Sequence, residues 1–308
     1  MIASDTITVA HSPDSDDAFM FYALAEGRVD TEGLEFHHEL SDIESLNRRA
    51  MAGELAVTAV SFHAYAHLAD RYLLLPHGAS FGDGYGPVVV ARDAAPKVVA
   101  QDAAPKVVAR DAASKEAARR ISRNTIASGD VAVASPGPWT TAALALQLWA
   151  PGVAMRAMPF DRIQEAVREG EVPAGLLIHE GQLTFADEGL REIVDLGRWW
   201  KEETGLPLPL GGNVVRRDLG PERIARISRA LSRSIEYGLA HRDAALDHAM
   251  RYARGLDRDR ADRFVGMYVN AWTRGYGEAG RRAVQALLDR GHEAGLLPRV
   301  RAEYAPEP

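Results

Sequence analysis

The fold of this chain follows from the stretch Thr6-Ile-Thr-Val-Ala-His-Ser-Pro-Asp-Ser-Asp-Asp-Ala-Phe-Met-Phe-Tyr22. Residues 6–11 alternate polar and apolar side chains, which predicts a β-strand. Residues 12–15 are serine, proline and aspartate, the residue types that end a strand and cap a helix. Residues 16–26 then carry apolar side chains at helical spacing. The chain therefore opens with a strand, a turn and a helix.

The same alternation continues after this opening. We predict a strand over residues 34–40, a helix over 43–52 and a strand over 56–61. Strands that alternate with helices are typical of a sheet covered by helices on its faces, so the pattern indicates the α/β class. Further elements are predicted over residues 88–91, 131–134, 140–149, 161–168, 174–178 and 206–215, with helices from Pro221 onward.

A glycine-rich break in this pattern predicts two lobes. The run Gly82-Asp-Gly-Tyr-Gly-Pro87 is typical of a loop, and we expect the chain to leave its first lobe there. The predicted first lobe comprises residues 1–90 and 210–308, and the second comprises residues 91–209. Each lobe would contain a mixed sheet flanked by helices, with a ligand cleft between the lobes. The C-terminal helices would pack back on the first lobe.

Composition excludes several classes of protein. The 308 residues are 46% hydrophobic and 26% charged, as expected for a globular chain, and the net charge of -7 gives no overall attraction for nucleic acid. Disulfides and thiolate metal sites are excluded because there is no cysteine. The N-terminus lacks the basic and apolar segments of a secretory signal, and no apolar run approaches the roughly 18 residues of a membrane helix. We therefore expect a soluble, cytoplasmic protein.

A short tandem repeat interrupts the predicted second lobe. Asp93-Ala-Ala-Pro-Lys-Val-Val-Ala-Gln101 is followed by Asp102-Ala-Ala-Pro-Lys-Val-Val-Ala-Arg110, and a third copy begins at Asp111. The repeats are too short and too few for a solenoid. We interpret residues 93–124 as an exposed insertion that the fold tolerates, and we assign no chemistry to it.

The best single candidate for catalysis is His179, in the run Gly175-Leu-Leu-Ile-His179. This run is an apolar strand that ends at the histidine, and open α/β sheets bind ligands at the ends of their strands. An imidazole exchanges protons near neutral pH without a large change in its pKa. From position alone, a packed structural histidine is the more common case.

A histidine and three acids lie together at the first turn: His11, Asp14, Asp16 and Asp17. They allow a metal site, but acids also suit a helix N-terminus, and we favour capping for Asp14 and Asp16. Asp17 is the one that would orient a catalytic group.

Two predicted strand-to-helix turns offer backbone N–H groups to an anion. They are residues 58–61 and 138–142, one in each predicted lobe, and together they would hold a substrate carboxylate across the cleft. Taken singly, each is an ordinary helix cap. Asn47 precedes the first turn and, without this context, is a plain surface amide. His63 and His67 lack the glutamate of a zinc-protease motif and are interpreted as structural.

Six ordered motifs carry a family resemblance over nearly the whole chain outside residues 93–124. The chain resembles the 1,4-dihydroxy-6-naphthoate synthases of the futalosine route to menaquinone. The motifs are His11-Ser-Pro-Asp-Ser-Asp-Asp-Ala-Phe-Met-Phe-Tyr22, Asp42-Ile-Glu-Ser-Leu-Asn47, Ser61-Phe-His-Ala-Tyr-Ala66, Gly82-Asp-Gly-Tyr-Gly-Pro87, Leu177-Ile-His-Glu-Gly-Gln-Leu-Thr184 and Thr204-Gly-Leu-Pro-Leu-Pro-Leu-Gly211.

The resemblance implies a periplasmic-binding-protein-like type II fold. It also implies a lyase that converts cyclic dehypoxanthinylfutalosine into 1,4-dihydroxy-6-naphthoate and needs neither a metal nor an organic cofactor. His179 matches the proton-accepting histidine of the family and would start carbon–carbon cleavage. The resemblance also implies the substrate-binding positions Ala59, Val60, Ser61, Thr141, Ala142, Asn47 and Asp17. Among these, Asn47 and Asp17 match cleft residues of the family, and Asp17 would be a partner of the histidine.

Two other functions remain open at this point. One is a non-catalytic solute-binding or sensor protein for a small carboxylate, since fold does not fix function. The other is the chorismate dehydratase of the same pathway. The missing export signal and the histidine in the cleft disfavour the first, and the Ile178-His-Glu-Gly-Gln182 motif disfavours the second. The expected partner is a small aromatic carboxylate, not nucleic acid or membrane, and the oligomeric state is left open.

Overall fold

The computed structural model of the protein describes residues 5–92 and 121–308. The tandem repeat from Asp93 onward lies outside the described residues. The strands are β1 (Asp5–His11), β2 (Leu34–Leu40), β3 (Val57–Ser61), β4 (Tyr72–Leu74), β5 (Ser80–Gly82), β6 (Val88–Arg92), β7 (Val133–Ser135), β8 (Met155–Ala157), β9 (Ala174–Leu177), β10 (Leu190–Asp195) and β11 (Leu208–Arg216).

Helices separate most of these strands, and the prediction of an α/β fold is confirmed. No helix of the described ranges is both long and apolar enough to cross a membrane. The helices are α1 (Ser15–Ala25), α2 (Ile43–Met51), α3 (Phe62–Tyr65), α4 (Arg123–Ala127), α5 (Thr141–Trp149), α6 (Phe160–Glu169), α7 (Gly181–Thr184), α8 (Leu196–Thr204), α9 (Pro221–Ala240), α10 (Arg242–Ala249), α11 (Arg258–Tyr268), α12 (Ala271–Arg274) and α13 (Gly277–Glu293).

The strands form two mixed sheets. The first has the order β2-β1-β3-β11-β4, with β5 also paired to β11, and the second has the order β10-β6-β9-β7-β8. In the first sheet β1, β2 and β3 run parallel, whereas β11 is antiparallel to β3. In the second sheet β9, β7 and β8 run parallel and β6 is antiparallel to β9. Ligand-binding turns are common at the carboxyl ends of such parallel strands.

The chain passes between the two sheets twice. The first crossing lies between Gly82 and Val88, and the second lies between Asp195 and Leu208. The strand β6 pairs wholly within the second sheet, so the first crossing precedes the predicted boundary at residue 90. Likewise β11 is already part of the first sheet at Leu208, just before the predicted return at residue 210.

The two crossings touch each other through glycine. A Cβ atom added to Gly197 would lie 1.8 Å from the carbonyl oxygen of Tyr85, and one added to Gly82 would lie 2.0 Å from that same oxygen. Such distances exclude any side chain at either position. The glycine-rich run therefore allows the two crossing segments to pack backbone against backbone.

The C-terminal part of the chain covers the first sheet. Helices α9 and α10 pack against α1, and α13 packs on β11. Tyr304 forms a β-bridge with Leu74 of β4, and the N–H group of Ala305 donates to the carbonyl of Leu74 at 2.7 Å. The last residues thus contact the edge of the sheet in which the chain began.

Candidate active site

A cavity lies between the two sheets and contains most of the predicted site residues. It encloses about 760 Å³ of space not occupied by atoms, part of which opens to solvent. Its walls are partly apolar, with Ile43, Ile178, Leu210 and Phe264 among the lining residues, as suits an aromatic ligand. Of the predicted residues, all but one line it: Asp17, Ala59, Val60, Ser61, Thr141, Ala142 and His179.

His179 is held on the cavity wall by an unusual backbone conformation. It follows β9, which ends at Leu177, and its φ of 54° lies in the left-handed region that residues other than glycine seldom adopt. Strained backbone of this kind is concentrated at functional sites. The ring of Phe160 packs edge-on against the imidazole, with 5.0 Å between the centroids.

A carboxylate from the other sheet fixes the orientation of this imidazole. The Nδ1 atom of His179 lies 3.0 Å from the Oδ2 atom of Asp14, whose side chain is only 1% exposed. Asp14 follows β1 in the turn before α1. Because Asp14 engages Nδ1, the Nε2 atom is the nitrogen that remains for a ligand. The pair resembles the acid and histidine of hydrolytic triads in geometry.

This arrangement corrects two expectations for the first turn. Asp14 occupies the N-cap position of α1 but makes no side-chain capping hydrogen bond, because its carboxylate is directed to His179 instead. Asp17, the predicted partner of the histidine, accepts hydrogen bonds from the backbone N–H and the hydroxyl of Ser12 at 2.8 and 2.9 Å. The residue that orients His179 is therefore Asp14.

Arg254 completes the charge arrangement around Asp14. Its guanidinium lies 2.6 Å from Asp14 Oδ1 and 3.5 Å from Glu180 Oε2. It also stacks over the ring of Phe160, 4.5 Å from the centroid. One cation therefore connects the turn after β1 with the segment after β9. Sequence reasoning missed Arg254, since nothing local marks an arginine far along the chain as part of this site.

The charges shift the pKa values of the pair in opposite directions. Burial lowers the pKa of His179, but the Asp14 carboxylate outweighs it and the net result is a pKa of about 9. Burial raises the pKa of Asp14, but His179 and Arg254 outweigh it and bring the pKa to about 2. The ligand-free protein therefore holds an imidazolium–carboxylate pair at neutral pH.

The two predicted anion-binding turns face the same cavity. Ala59 and Ser61 lie on β3, and Thr141 and Ala142 begin α5, where the first N–H groups have no partner within the helix. The Thr141 hydroxyl is not free for a ligand, because it donates to the carbonyl of Leu210 at 2.6 Å. The backbone amides of this turn are the groups left to receive an anion.

Asn47 is not a surface residue, nor does it line the cavity. It is fully buried, and its side-chain oxygen accepts from the N–H group of Ser61 at 2.9 Å. Its amide nitrogen donates to the Ser61 hydroxyl at 3.2 Å and to the carbonyl of Trp139 at 3.3 Å. Asn47 thus connects the two predicted anion-binding turns on the side away from the cavity. His63 is also buried, with Nδ1 3.2 Å from the carbonyl of Thr140.

The structure adds cavity residues that the sequence did not single out. Tyr268 reaches the cavity from α11, and its hydroxyl lies 2.6 Å from the side-chain amide of Gln182. Gln182 belongs to a motif quoted above, but no sequence signal separates Tyr268 from other core tyrosines. Within residues 5–92 and 121–308, no three His, Asp or Glu side chains are arranged to hold a metal ion.

Comparison with known proteins identifies the family. The family model described as menaquinone biosynthesis matches residues 7–293. The chain is 39% identical over 292 residues to a 1,4-dihydroxy-6-naphthoate synthase of Thermus thermophilus, covering 95% of this chain and 96% of the relative. It is 34% identical over 304 residues to the protein of that name in Streptomyces coelicolor, covering 96% of each.

Solved structures confirm the predicted fold. A protein of Archaeoglobus fulgidus is 45% identical, with a TM-score of 0.82, and the match covers 96% of this chain and all of that one. A Candida albicans protein described as having the generic periplasmic-binding-protein fold is 13% identical, with a TM-score of 0.63 and coverage of 96% and 92%. The chain therefore belongs to the menaquinone biosynthesis family of the 1,4-dihydroxy-6-naphthoate synthases.

Proposed function

We propose that this protein is a carbon–carbon lyase that converts cyclic dehypoxanthinylfutalosine into 1,4-dihydroxy-6-naphthoate, with His179 as the base. The observation that carries the proposal is the position of His179 on the cavity wall, with Nδ1 held by the buried carboxylate of Asp14. The relatives in Thermus thermophilus and Streptomyces coelicolor are named for the product, 1,4-dihydroxy-6-naphthoate.

His179 would begin the reaction through Nε2. It takes a proton from the bound substrate and so starts carbon–carbon cleavage, which is driven by formation of the aromatic dihydroxynaphthalene. Asp14 stabilises the resulting imidazolium and is a positioning residue. A base of raised pKa accepts a proton from a weak acid more readily, although it is mostly protonated at neutral pH.

The two turns would bind the carboxylate of the substrate. The amides of Thr141 and Ala142 begin a helix of nine residues, whose positive end favours an anion. The Ser61 hydroxyl accepts from Asn47 and so retains its own hydrogen for a ligand. The apolar walls would enclose the rings of the substrate, and closure around it would exclude water during proton removal.

Turnover by purified wild type and His179→Ala tests the proposal. His241→Ala is a matched control, because His241 is exposed and stacks on Tyr237 outside the cavity. Each protein is given cyclic dehypoxanthinylfutalosine and, separately, chorismate, and products are separated by chromatography. We expect naphthoate from wild type and control, and a loss of about 100- to 10,000-fold in kcat for His179→Ala.

The two substrates separate the alternatives. Consumption of chorismate alone would assign the dehydratase activity instead. Binding of either compound without turnover would favour a sensor or solute-binding protein. If His179→Ala were fully active with cyclic dehypoxanthinylfutalosine, the protein would still be a synthase, but His179 would not be its base.

A further inference from the structure

Asp16 is a buried carboxyl group, and one of its two oxygen atoms has no hydrogen-bond partner among the described residues. Its side chain lines the cavity, and the residue is only 9% exposed. Its Oδ1 atom is buried and has no partner within the described part of the chain. Buried polar atoms are rarely left unpaired, so this one indicates a group that arrives with the ligand.

Other carboxyl groups crowd this position. Asp17 and Asp14 are close in sequence, and Glu180 approaches from the segment after β9. Burial, followed by the charges of Asp17 and Asp14, raises the pKa of Asp16 well above its ordinary value. Burial and like charges both disfavour the ionised form of a carboxyl group in this environment.

The nearby cations and hydrogen-bond donors pair with groups other than Asp16. The Asp14 carboxylate forms ion pairs with both His179, at 3.0 Å, and Arg254, at 2.6 Å. The Tyr268 hydroxyl, which faces Asp16 from α11, lies 2.6 Å from the side-chain amide of Gln182. None of these groups is recorded as a hydrogen-bond partner of Asp16 in the described ranges.

We propose that Asp16 is a substrate-binding residue that donates the hydrogen of a neutral carboxylic acid to an uncharged carbonyl or hydroxyl oxygen of the substrate. This inference rests on the proposed function, since it assumes a substrate that contacts His179. A carboxylate would be a poor ligand here, because Asp14, Asp17 and Glu180 would repel it. The contact therefore sets the orientation of the substrate: its carboxylate lies at the amide turns, and an uncharged oxygen lies beside Asp16.

The proton on Asp16 can be measured without any substrate. Infrared difference spectra between ligand-free wild type and Asp16→Asn report the carbonyl stretch of a protonated carboxylic acid. We expect this band in wild type at neutral pH and its loss in Asp16→Asn. Asp14→Asn serves as the comparison, since Asp14 is ionised and its replacement removes no such band of its own. Absence of the band from wild type overturns the proposal.

Steady-state kinetics test the contact itself. Asp16→Ala removes the donor, and we expect KM to rise about tenfold or more because the substrate oxygen loses its partner. Asp16→Asn restores a neutral N–H donor of similar size and should recover most of that loss in KM. Equal losses in both variants would mean that charge or proton transfer is needed, and no loss in either would mean that there is no contact. If wild type lacks turnover, the proposed function fails, while the infrared result still reports the state of Asp16.

Discussion

The Nδ1 atom of His179 lies 3.0 Å from the Oδ2 atom of Asp14, although the two residues follow strands of different sheets. The contact requires the turn after β1 and the segment after β9 to meet at the cavity wall. Charge on Asp14 determines how strongly His179 holds a proton, and therefore the pH range in which it can act as a base. Several predictions of different kinds depend on this contact and on the packing that supports it.

Replacing Asp14 by asparagine should move the pH profile of kcat/KM toward acid. A base must be unprotonated, so kcat/KM of wild type rises with pH as His179, with a pKa of about 9, loses its proton. Without the Asp14 charge, the rising limb should lie about one to three pH units lower. The maximal rate should fall, because the imidazolium formed in the reaction is less stabilised. An unchanged limb would show that another group titrates.

Replacing Arg254 by methionine should move the rising limb of the kcat/KM profile toward higher pH. Arg254 competes with His179 for the charge of Asp14, at 2.6 Å from Oδ1. Removing it leaves Asp14 to His179 alone, which favours the imidazolium and raises its pKa. The measurement is again kcat/KM against pH, with Arg251→Met as the control, since Arg251 pairs with Glu26 at 3.6 Å. A shift toward acid would contradict the assignment.

The stability contributed by the pair should depend on pH. The pKa of His179 is raised to about 9, so its contribution is complete below the unfolded value of 6.5 and is lost as pH rises through about 9. The pKa of Asp14 is lowered to about 2, so its contribution is present above 3.8 and is lost as pH falls toward about 2. The pKa shifts of His179 and Asp14 both report the same ion pair, so their contributions to stability are not added together.

Urea unfolding of wild type and Asp14→Asn measures that contribution. The difference in unfolding free energy should be larger near pH 6 than above pH 9, where the imidazole is neutral in both states. A difference that does not change with pH would show that Asp14 stabilises the fold through packing or through Arg254 alone.

Removing the amide of Asn47 should destabilise the protein. Asn47→Ala leaves the N–H group of Ser61 and the carbonyl of Trp139 without their partner in a buried place. Each unsatisfied group costs about 1–3 kcal/mol, so the two together should cost about 2–6 kcal/mol in denaturant unfolding. Asn124→Ala is the matched control, because Asn124 is exposed and should change stability by less than about 0.5 kcal/mol.

The glycine contact between the crossings should tolerate no methyl group. Gly197→Ala would place Cβ 1.8 Å from the carbonyl oxygen of Tyr85, which is backbone and cannot move alone. We expect poor folding or a lowered melting temperature. Gly266→Ala is the comparison: it lies within α11, where the nearest atom is 3.4 Å away at the end of the Arg242 side chain. There alanine should stabilise by about 0.5–1 kcal/mol.

Local patterns were sufficient for most of the fold. The helices and strands with clear periodicity were predicted within a few residues, from β1 and α1 to β11 and α9. The strands β4, β5, β8 and β10 were not predicted. For β4, β5 and β8, three residues carry too little periodicity to distinguish a strand from a loop. Their pairing depends on a neighbouring strand from a distant part of the chain.

The candidate site shows the same difference between features set by neighbouring residues and features set by distant contacts. By itself, the sequence determined the α/β class, the position of His179 after a strand and the two turns that offer amides, because each depends on residues adjacent in the chain. Only the tertiary structure decided that Asp14 and not Asp17 meets His179, that Arg254 joins them and that Asn47 is buried. These are contacts between segments far apart in sequence, and their geometry follows from how the two sheets pack around one cavity.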